Sequence, residues 1–265
     1  MIHHIERPDD PRIAAYVEIG DHERVRARGL FVAEGRLVFR RLIASRRFGI
    51  ESVVVTPAAL NGLSDVLETA DWPVYVCGQG VIQTLTGIDF HRGCLALARR
   101  PVEQLPLSHF ARARRLLALE GVGNPDNLGG LFRAGAAFGV DGVLLAPSCA
   151  DPFYRKSIRT SVGSVLRVPF TDVVRWPGDL DVLRGSGLQI VALTPDPRAI
   201  PLREFVSTLS PDARTILLLG AEGPGLTPEA LRAADCPIRI PMAADVDSLN
   251  VTVAAGIALA FLDGV

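Results

Sequence analysis

The residue types able to handle a polar substrate fall in three short stretches of the second half of the chain. Asn127 and Arg133 lie in NPDNLGGLFRAGAAFG (124–139), Glu222 in GAEGPGLTPEAL (220–231), and Ser248 and Asn250 in PMAADVDSLNVTVAAG (241–256). All five histidines (3, 4, 22, 91 and 109) precede these stretches, and none of the stretches carries a cysteine. Ser–His–Asp and Cys–His nucleophilic catalysis are therefore disfavoured. Two clustered carboxylates with an oxygen-rich metal geometry are not evident either. What remains is Arg133, Glu222, Ser248, Asn127 and Asn250 with exposed backbone, which suits a reaction whose reactive group arrives on a cofactor.

Arg133 poses the sharpest question. On a helix running from Leu128, its neighbours three and four residues away are Gly129, Gly130, Ala136 and Ala137, none with charge or bulk. Glycine is a weak helix former, so its use here needs a reason. Either the glycines let the helix pack tightly while Arg133 is a solvated surface residue, or they clear space for a ligand to approach Arg133. On the residues alone both readings stand.

The elements that must position these residues are legible from apolar runs. RLLALE (115–120), GVLLA (142–146), VLRVPF (165–170), LQIVALT (188–194), TILLLG (215–220) and IRIPM (238–242) read as strands. Helical segments are expected near 128–139, 153–161, 176–185, 201–208, 227–235 and 248–263. Near-continuous apolar strands alternating with helices predict a parallel sheet covered on both faces, with ligands beyond the carboxyl ends of its strands. That rule selects the loops GVGNPDN, GAEGPGL and PMAADVDS. The first lacks G-x-G-x-x-G, and Asn127 reads best locally as a helix N-cap. The second is not a phosphate-binding P-loop, since it has no lysine; Thr227-Pro228-Glu229 reads as N-cap, first residue and first-turn acid of a helix. The third leads into a helix apolar nearly all round, expected to be buried against its own sheet and another subunit, with Ser248 and Asn250 as possible caps.

Before the proline-bearing stretch PVEQLPLSHF (101–110) the elements are shorter. Strands are expected at 31–35, 50–56, 74–77 and 93–100, with helices at 36–45, 61–70 and 80–87, a small α/β sandwich. The domain division is accordingly 1–105 and 106–265. Of the 265 residues 48% are apolar, enough for a real core, and the net charge of -1 gives no global basic field. Locally, residues 21–49 hold eight arginines against Asp21, Glu23 and Glu34, while Lys156 is the only lysine of the chain. Four scattered cysteines without metal-finger spacing fit a reducing compartment. The charged N-terminus is no signal peptide, and no uncharged run reaches the ~18 residues of a membrane span. A soluble, cytoplasmic protein is expected.

Taken in order, the three stretches resemble the motifs of the SpoU/TrmH branch of the SPOUT RNA methyltransferases. Asn124, Asn127, Gly129, Arg133, Phe138 and Gly139 match the first, with Gly135 where alanine is common. Gly220 to Gly225 match the second. Ile240-Pro241-Met242 and Ser248 to Ala254 match the third, Thr252 replacing the usual serine. ADPFYRKSIRTSVGS, between the first two, is similar to a further family segment. The first half is similar, more loosely, to an L30e-like substrate-binding domain through FVAEGRLVFRRLI and HRGCLAL, with Arg92 where many relatives have glutamine.

The resemblance implies an α/β trefoil-knot domain preceded by that small α/β domain, homodimerisation, and no metal. It implies methyl transfer from S-adenosylmethionine to a ribose 2′-hydroxyl of ribosomal RNA or, second, transfer RNA. A non-catalytic RNA-binding or assembly factor on the same fold is the alternative. By position, Gly220, Gly225, Leu226, Ile240, Met242 and Leu249 would bind the donor. Arg133, Asn127, Glu222, Ser248 and Asn250 would form the catalytic group, and Arg40, Arg41, Arg46 and Arg47 would contact RNA phosphates. The glycines and alanines beside Arg133 would then let RNA and the partner subunit come close, which favours the second reading of that arginine.

Overall fold

The computed structural model describes every residue except Met1, Glu18, Ile88, Asp89, His91, Ala244, Gly264 and Val265, with Asp263 described by its backbone alone. His91 of HRGCLAL and Ala244 of the third loop thus lie outside the described residues. The chain divides into two compact units, 1–102 with 153–166, and 103–152 with 167–265.

The first unit contains β1 (Ile2–Ile5), α1 (His22–Ala27), β2 (Leu30–Glu34), α2 (Arg36–Ser45), β3 (Ile50–Val55), α3 (Pro57–Gly62), α4 (Ser64–Leu67), β4 (Val74–Cys77), α5 (Gln79–Thr86) and β5 (Cys94–Arg99). Its five strands form a mixed sheet in the order β1-β4-β3-β5-β2. The periodicity located β2 to β5 and α2 to within a residue or two. It missed β1 and α1, which are too short and polar to stand out.

One piece of the second half belongs to this unit. Phe153 stacks on the buried Phe31 at 4.9 Å between ring centroids. Arg155, at the start of α7 (Arg155–Thr160), pairs at 2.8 Å with Glu34, whose side chain is only 3% exposed. After α7 the chain turns through Val162 at φ 53° and Gly163 at φ 80°. A left-handed conformation is costly for a β-branched residue; here the Val162 carbonyl accepts a bond from Arg41. The sequence predicts 153–166 within the second domain and a boundary after 105. The structure groups 153–166 with the first unit, because its apolar and charged partners are Phe31 and Glu34. The second unit starts at Glu103 and so takes in most of the proline-bearing stretch 101–110: Gln104 accepts from the Asp172 N–H at 3.1 Å, and the Leu105 carbonyl accepts from Thr171 at 2.6 Å.

The second unit contains β6 (Arg115–Leu119), α6 (Pro125–Ala137), β7 (Gly142–Leu145), β8 (Phe170–Asp172), α8 (Leu180–Arg184), β9 (Gln189–Leu193), β10 (Ile200–Pro201), α9 (Leu202–Thr208), β11 (Thr215–Leu219), α10 (Pro228–Ala233), β12 (Cys236–Arg239) and α11 (Val251–Asp263). Every strand pairing is parallel, in the order β10-β12-β9-β11-β6-β7-β8. The expected α/β class with a parallel sheet is what the structure has. Strand interiors such as Leu117, Leu144, Ile190 and Leu218 are fully buried, each contributing roughly 1.5–3 kcal/mol relative to exposure. One strand differs: Val165 and Leu166 are a buried 3-10 turn, and β8 begins only at Phe170, opposite Val143. A short apolar run alone cannot distinguish those outcomes.

The order sets the site. β11 enters between β9 and β6, so the loops after β6 and β11 emerge side by side, with Leu119 in register with Leu219. On the far side of β11, β9 and then β12 end at similar height, Leu193 facing Ile238.

Candidate active site

Beyond these strand ends lies a cavity of ≈ 130 Å³. β9 contributes Leu193, with Thr194 and Pro195 after it; β11 contributes Leu219 and the glycine loop that follows. Ile240 and Met242 follow β12, and Ser248, Leu249, Val251 and Ala254 approach from the start of α11. Of the donor-binding residues expected from the sequence, Gly220, Gly225, Ile240, Met242 and Leu249 line the cavity. Leu226 does not: its side chain packs against the core cluster that includes Leu218 and Ala230. Leu193, Thr194 and Pro195 were missed, although the strand-end rule that selected the other loops applies equally to β9.

The glycine loop is shaped by close backbone approach. A Cβ on Gly220 would stand 2.3 Å from the Gly225 carbonyl carbon and 2.4 Å from the Leu226 nitrogen, so no side chain fits. The loop closes through the Gly225 N–H donating to the Ala221 carbonyl at 3.0 Å. Gly223 and Gly225 have φ of 88° and 69°, with open space where a Cβ would project. The cavity therefore offers apolar side chains, backbone polar groups and the hydroxyls of Thr194 and Ser248. That donor set fits S-adenosylmethionine, whose adenine is flat and whose ribose and amino acid need hydrogen bonds. Among the described residues no group of three or more His, Cys, Asp or Glu could hold a metal, and no helix is long and apolar enough to cross a membrane.

At the cavity edge three of the singled-out residues meet on one side chain. The Asn250 amide Nδ2 donates to Asn127 Oδ1 at 3.1 Å and to Glu222 Oε1. Its Oδ1 accepts from the backbone N–H groups of Thr252 at 2.9 Å and Val253 at 3.4 Å, capping α11. Both donors and both acceptor positions of this amide are thus used. Asn250 ties the three loops together and has no hydrogen-bonding capacity left for a substrate.

Asn127 is not the cap of α6. The helix starts one turn earlier than expected: Asn124 caps it, accepting from the Asp126 N–H at 2.9 Å, with Pro125 as the first residue. Asn127 thereby falls inside the first turn, its side chain free to face Asn250. The reading of Thr227, Pro228 and Glu229 as a helix start agrees with α10. Ser248 lines the cavity and makes no cap.

The glycines around Arg133 serve packing. α11 lies along α6, and a Cβ on Gly130 would stand 2.7 Å from Thr252 Cγ2, whose hydroxyl donates to the Asn127 carbonyl at 3.3 Å. Gly135 abuts Leu117 and Val140. At Gly130 and Gly135 the expectation of a cleared path for RNA or a partner subunit is corrected: α11 and the sheet fill the space a side chain there would take. Arg133 itself is exposed and has no hydrogen bond or ion pair among the described residues. Six residues beyond Asn127, it lies about 9 Å along α6 and roughly 120° around its axis. It stands on the flank of the α6–α11 seam with its guanidinium available.

The arginine group of the first unit is less uniform than its sequence. Arg40 grips the Asp65 carboxylate through two bonds of 2.7 and 2.8 Å and also the Gly62 carbonyl. Those bonds hold the Asp65 carboxyl below the usual carboxylate range. Arg41 is spent on the Val162 carbonyl. Arg46 is exposed at the left-handed end of α2, and Arg47 stands 5.4 Å over the Phe48 ring. Arg40 and Arg41 thus have protein partners that any RNA phosphate would have to displace.

The SpoU rRNA Methylase family model matches residues 114–260. An uncharacterized tRNA/rRNA methyltransferase of Mycobacterium bovis is 40% identical over 255 residues, covering 95% of this chain and 88% of that protein. The 23S rRNA (guanosine(2553)-2'-O)-methyltransferase RlmP of Bacillus subtilis is 30% identical over 192 residues, 72% of each. The crystal structure of an AdoMet-bound rRNA methyltransferase from Sinorhizobium meliloti aligns with a TM-score of 0.82 at 25% identity, over 98% of this chain and 97% of that one. The fold is that of the SPOUT methyltransferases, and this chain belongs to the SpoU rRNA methylase family of S-adenosylmethionine-dependent RNA methyltransferases.

Proposed function

We propose that the chain methylates a ribose 2′-hydroxyl of ribosomal RNA at the cavity edge held by Asn250. The observation that carries this is the Asn127–Asn250–Glu222 tie beside a cavity with the donor set of an adenosyl ligand. S-adenosylmethionine, when bound, would supply an electrophilic methyl on sulfur; as the 2′-oxygen took that methyl the carbon–sulfur bond would break, S-adenosylhomocysteine would leave, and the hydroxyl proton would be lost. A guanidinium stays protonated in proteins, so Arg133 cannot be the base. Its role is to grip an RNA phosphate and orient the hydroxyl, with proton loss to that phosphate or to water. Positioning of this kind supplies roughly 7–11 kcal/mol when reactants are well oriented. Glu222, with one oxygen held by Asn250, orients the ribose, and Ser248 contacts the donor side. Ribosomal RNA is favoured over transfer RNA because RlmP, a 23S rRNA methyltransferase, is similar over 72% of this chain.

The same reading makes the protein a cytoplasmic homodimer with an L30e-like first unit that binds RNA. α11 supports the dimer: Val253 is 51% and Phe261 38% exposed on a helix without a charged residue before Asp263. In the first unit Arg46, exposed at the end of α2, is the better phosphate contact, Arg40 and Arg41 being engaged.

The test is transfer of labelled methyl from S-adenosylmethionine to unmodified ribosomal RNA and transfer RNA in parallel, with digestion to identify a 2′-O-methyl nucleotide. Label in ribosomal RNA is expected. Arg133→Ala should abolish transfer while retaining donor binding, and wild-type turnover in that variant would remove Arg133 from the mechanism. Absence of both label and donor binding would leave an RNA-binding protein without catalysis.

A further inference from the structure

Glu120, which no sequence motif singled out, closes the base of the glycine loop from both sides. It is the last residue before the loop Gly121–Asn127 and only 6% exposed. Its backbone N–H donates to the Leu219 carbonyl at 2.9 Å, at the point where the chain leaves β11 for Gly220. Its carboxylate accepts from Thr227 at the other end of the same loop: Oε2 from the backbone N–H at 2.8 Å, Oε1 from the hydroxyl at 3.0 Å. Oε1 also accepts from the Trp176 indole N–H at 2.6 Å. No cation reaches this carboxylate among the described residues, and three donors from two separate segments satisfy it instead.

One residue therefore meets both ends of the loop 220–226, its backbone at Leu219 and its carboxylate at Thr227, where α10 starts. That loop forms a wall of the cavity and carries Glu222. A residue recruited only to fill the core would need no charge here, since burying a carboxylate is costly unless every lone pair finds a donor. Glu120 touches neither the cavity nor Asn250, so it cannot be a catalytic residue. We propose that Glu120 is a positioning residue for the methyl donor, holding the glycine loop in its binding shape through Thr227 and Trp176. This rests on the reading of the cavity as the donor site.

Substitution at either end of the clamp separates this from a merely structural role. Glu120→Gln keeps size and can still accept from the Thr227 N–H, but its amide nitrogen would face the Trp176 indole N–H, donor against donor. Trp176→Phe removes the same bond from the opposite side. Calorimetric titration with S-adenosylmethionine should show dissociation constants raised about tenfold in each, the scale of one lost bond to a charged group. The KM for the donor should rise in parallel, with kcat and the KM for RNA changed less. The double variant should be no worse than the weaker single one, because both break one bond. Thr227→Ala should weaken donor binding and Thr227→Ser restore it; these two carry the test if Glu120→Gln does not fold. In a Trp72→Phe background, where Trp176 is the only remaining tryptophan, Glu120→Gln should shift the emission maximum.

Unchanged donor affinity in Glu120→Gln and Thr227→Ala, or additive effects in the double variant, would overturn the proposal while the cavity assignment stands. Failure of the wild-type protein to bind the donor would overturn the cavity reading, and this proposal with it.

Discussion

Asn250→Asp separates the two tasks of the residue at the centre of the site. As a helix cap, aspartate is equivalent to asparagine, and its charge at the N-terminus of α11 is favourable by about 0.3–1 kcal/mol. The bonds from Thr252 and Val253 to Oδ1 survive, so α11 should stay helical. Both donor bonds disappear. Losing a bond to a charged group costs about 1.5–3 kcal/mol, and the new carboxylate stands against that of Glu222. At about 4 Å, like charges repel by roughly 1 kcal/mol in water and about 4 kcal/mol near a protein surface. Glu222 is an exposed loop residue, so it should relieve the repulsion by swinging away rather than by unfolding the protein. The melting temperature should then fall by only a few degrees. Methyl transfer should fall about a hundredfold, the equivalent of roughly 2.7 kcal/mol. Asn250→Ser, which keeps a cap but adds no charge, should lie between the wild type and Asn250→Asp in activity. Thermal melting, circular dichroism and single-turnover methyl transfer read the three quantities. Asn250→Asp with wild-type turnover would show that the tie to Glu222 has no catalytic consequence. An activity loss matched by a large loss of helix would show that Asn250 acts only as a cap.

Other perturbations test neighbouring parts of the argument. Gly130→Ala should be destabilised by about 1–3 kcal/mol, as overpacked positions are, and Thr252→Ala should restore most of that loss in the double variant; no restoration would mean that α11 is not what the glycine accommodates. Arg155→Ala should destabilise the first unit by roughly 3–5 kcal/mol in urea unfolding, because it leaves Glu34 buried without its cation, whereas an unchanged midpoint would place 153–166 outside that unit's core. Burial pushes the Cys149 thiol up to about 11. The thiolate is the reactive form, so alkylation of Cys149 in the folded protein should be slow at pH 8 and rise only as pH approaches 11; rapid labelling at neutral pH would contradict its packing against the Leu119 carbonyl.

Much of this molecule is written in short-range preferences. Thr227-Pro228-Glu229 starts a helix because a hydroxyl, a missing N–H and an acid suit three successive positions of a first turn. The runs RLLAL, QIVAL and TILLL become parallel strands buried on both faces because apolar side chains without alternation have no face to turn to water. The spacing of the three motifs named the family, and with it the loops that surround the cavity. Even locally there were limits: Asn124 rather than Asn127 caps α6, since two asparagines three residues apart offer the same signal.

What the tertiary structure decided are the pairings between residues far apart along the chain. That Asn250 would spend its amide on Asn127 and Glu222 depends on β6 and β11 being neighbours, which follows from sheet order. That Glu120 would reach Thr227 and Trp176 depends on the same order. Thr194 and Pro195 joined the cavity because β9 lies between β11 and β12. The segment 153–166 reads as a continuation of the catalytic half, yet its Phe153 and Arg155 find Phe31 and Glu34, more than a hundred residues earlier. A helix cap is decided within four residues and can be read from them. A buried carboxylate finds its donors wherever the folded chain brings them, and the order of residues along the chain does not say where that is.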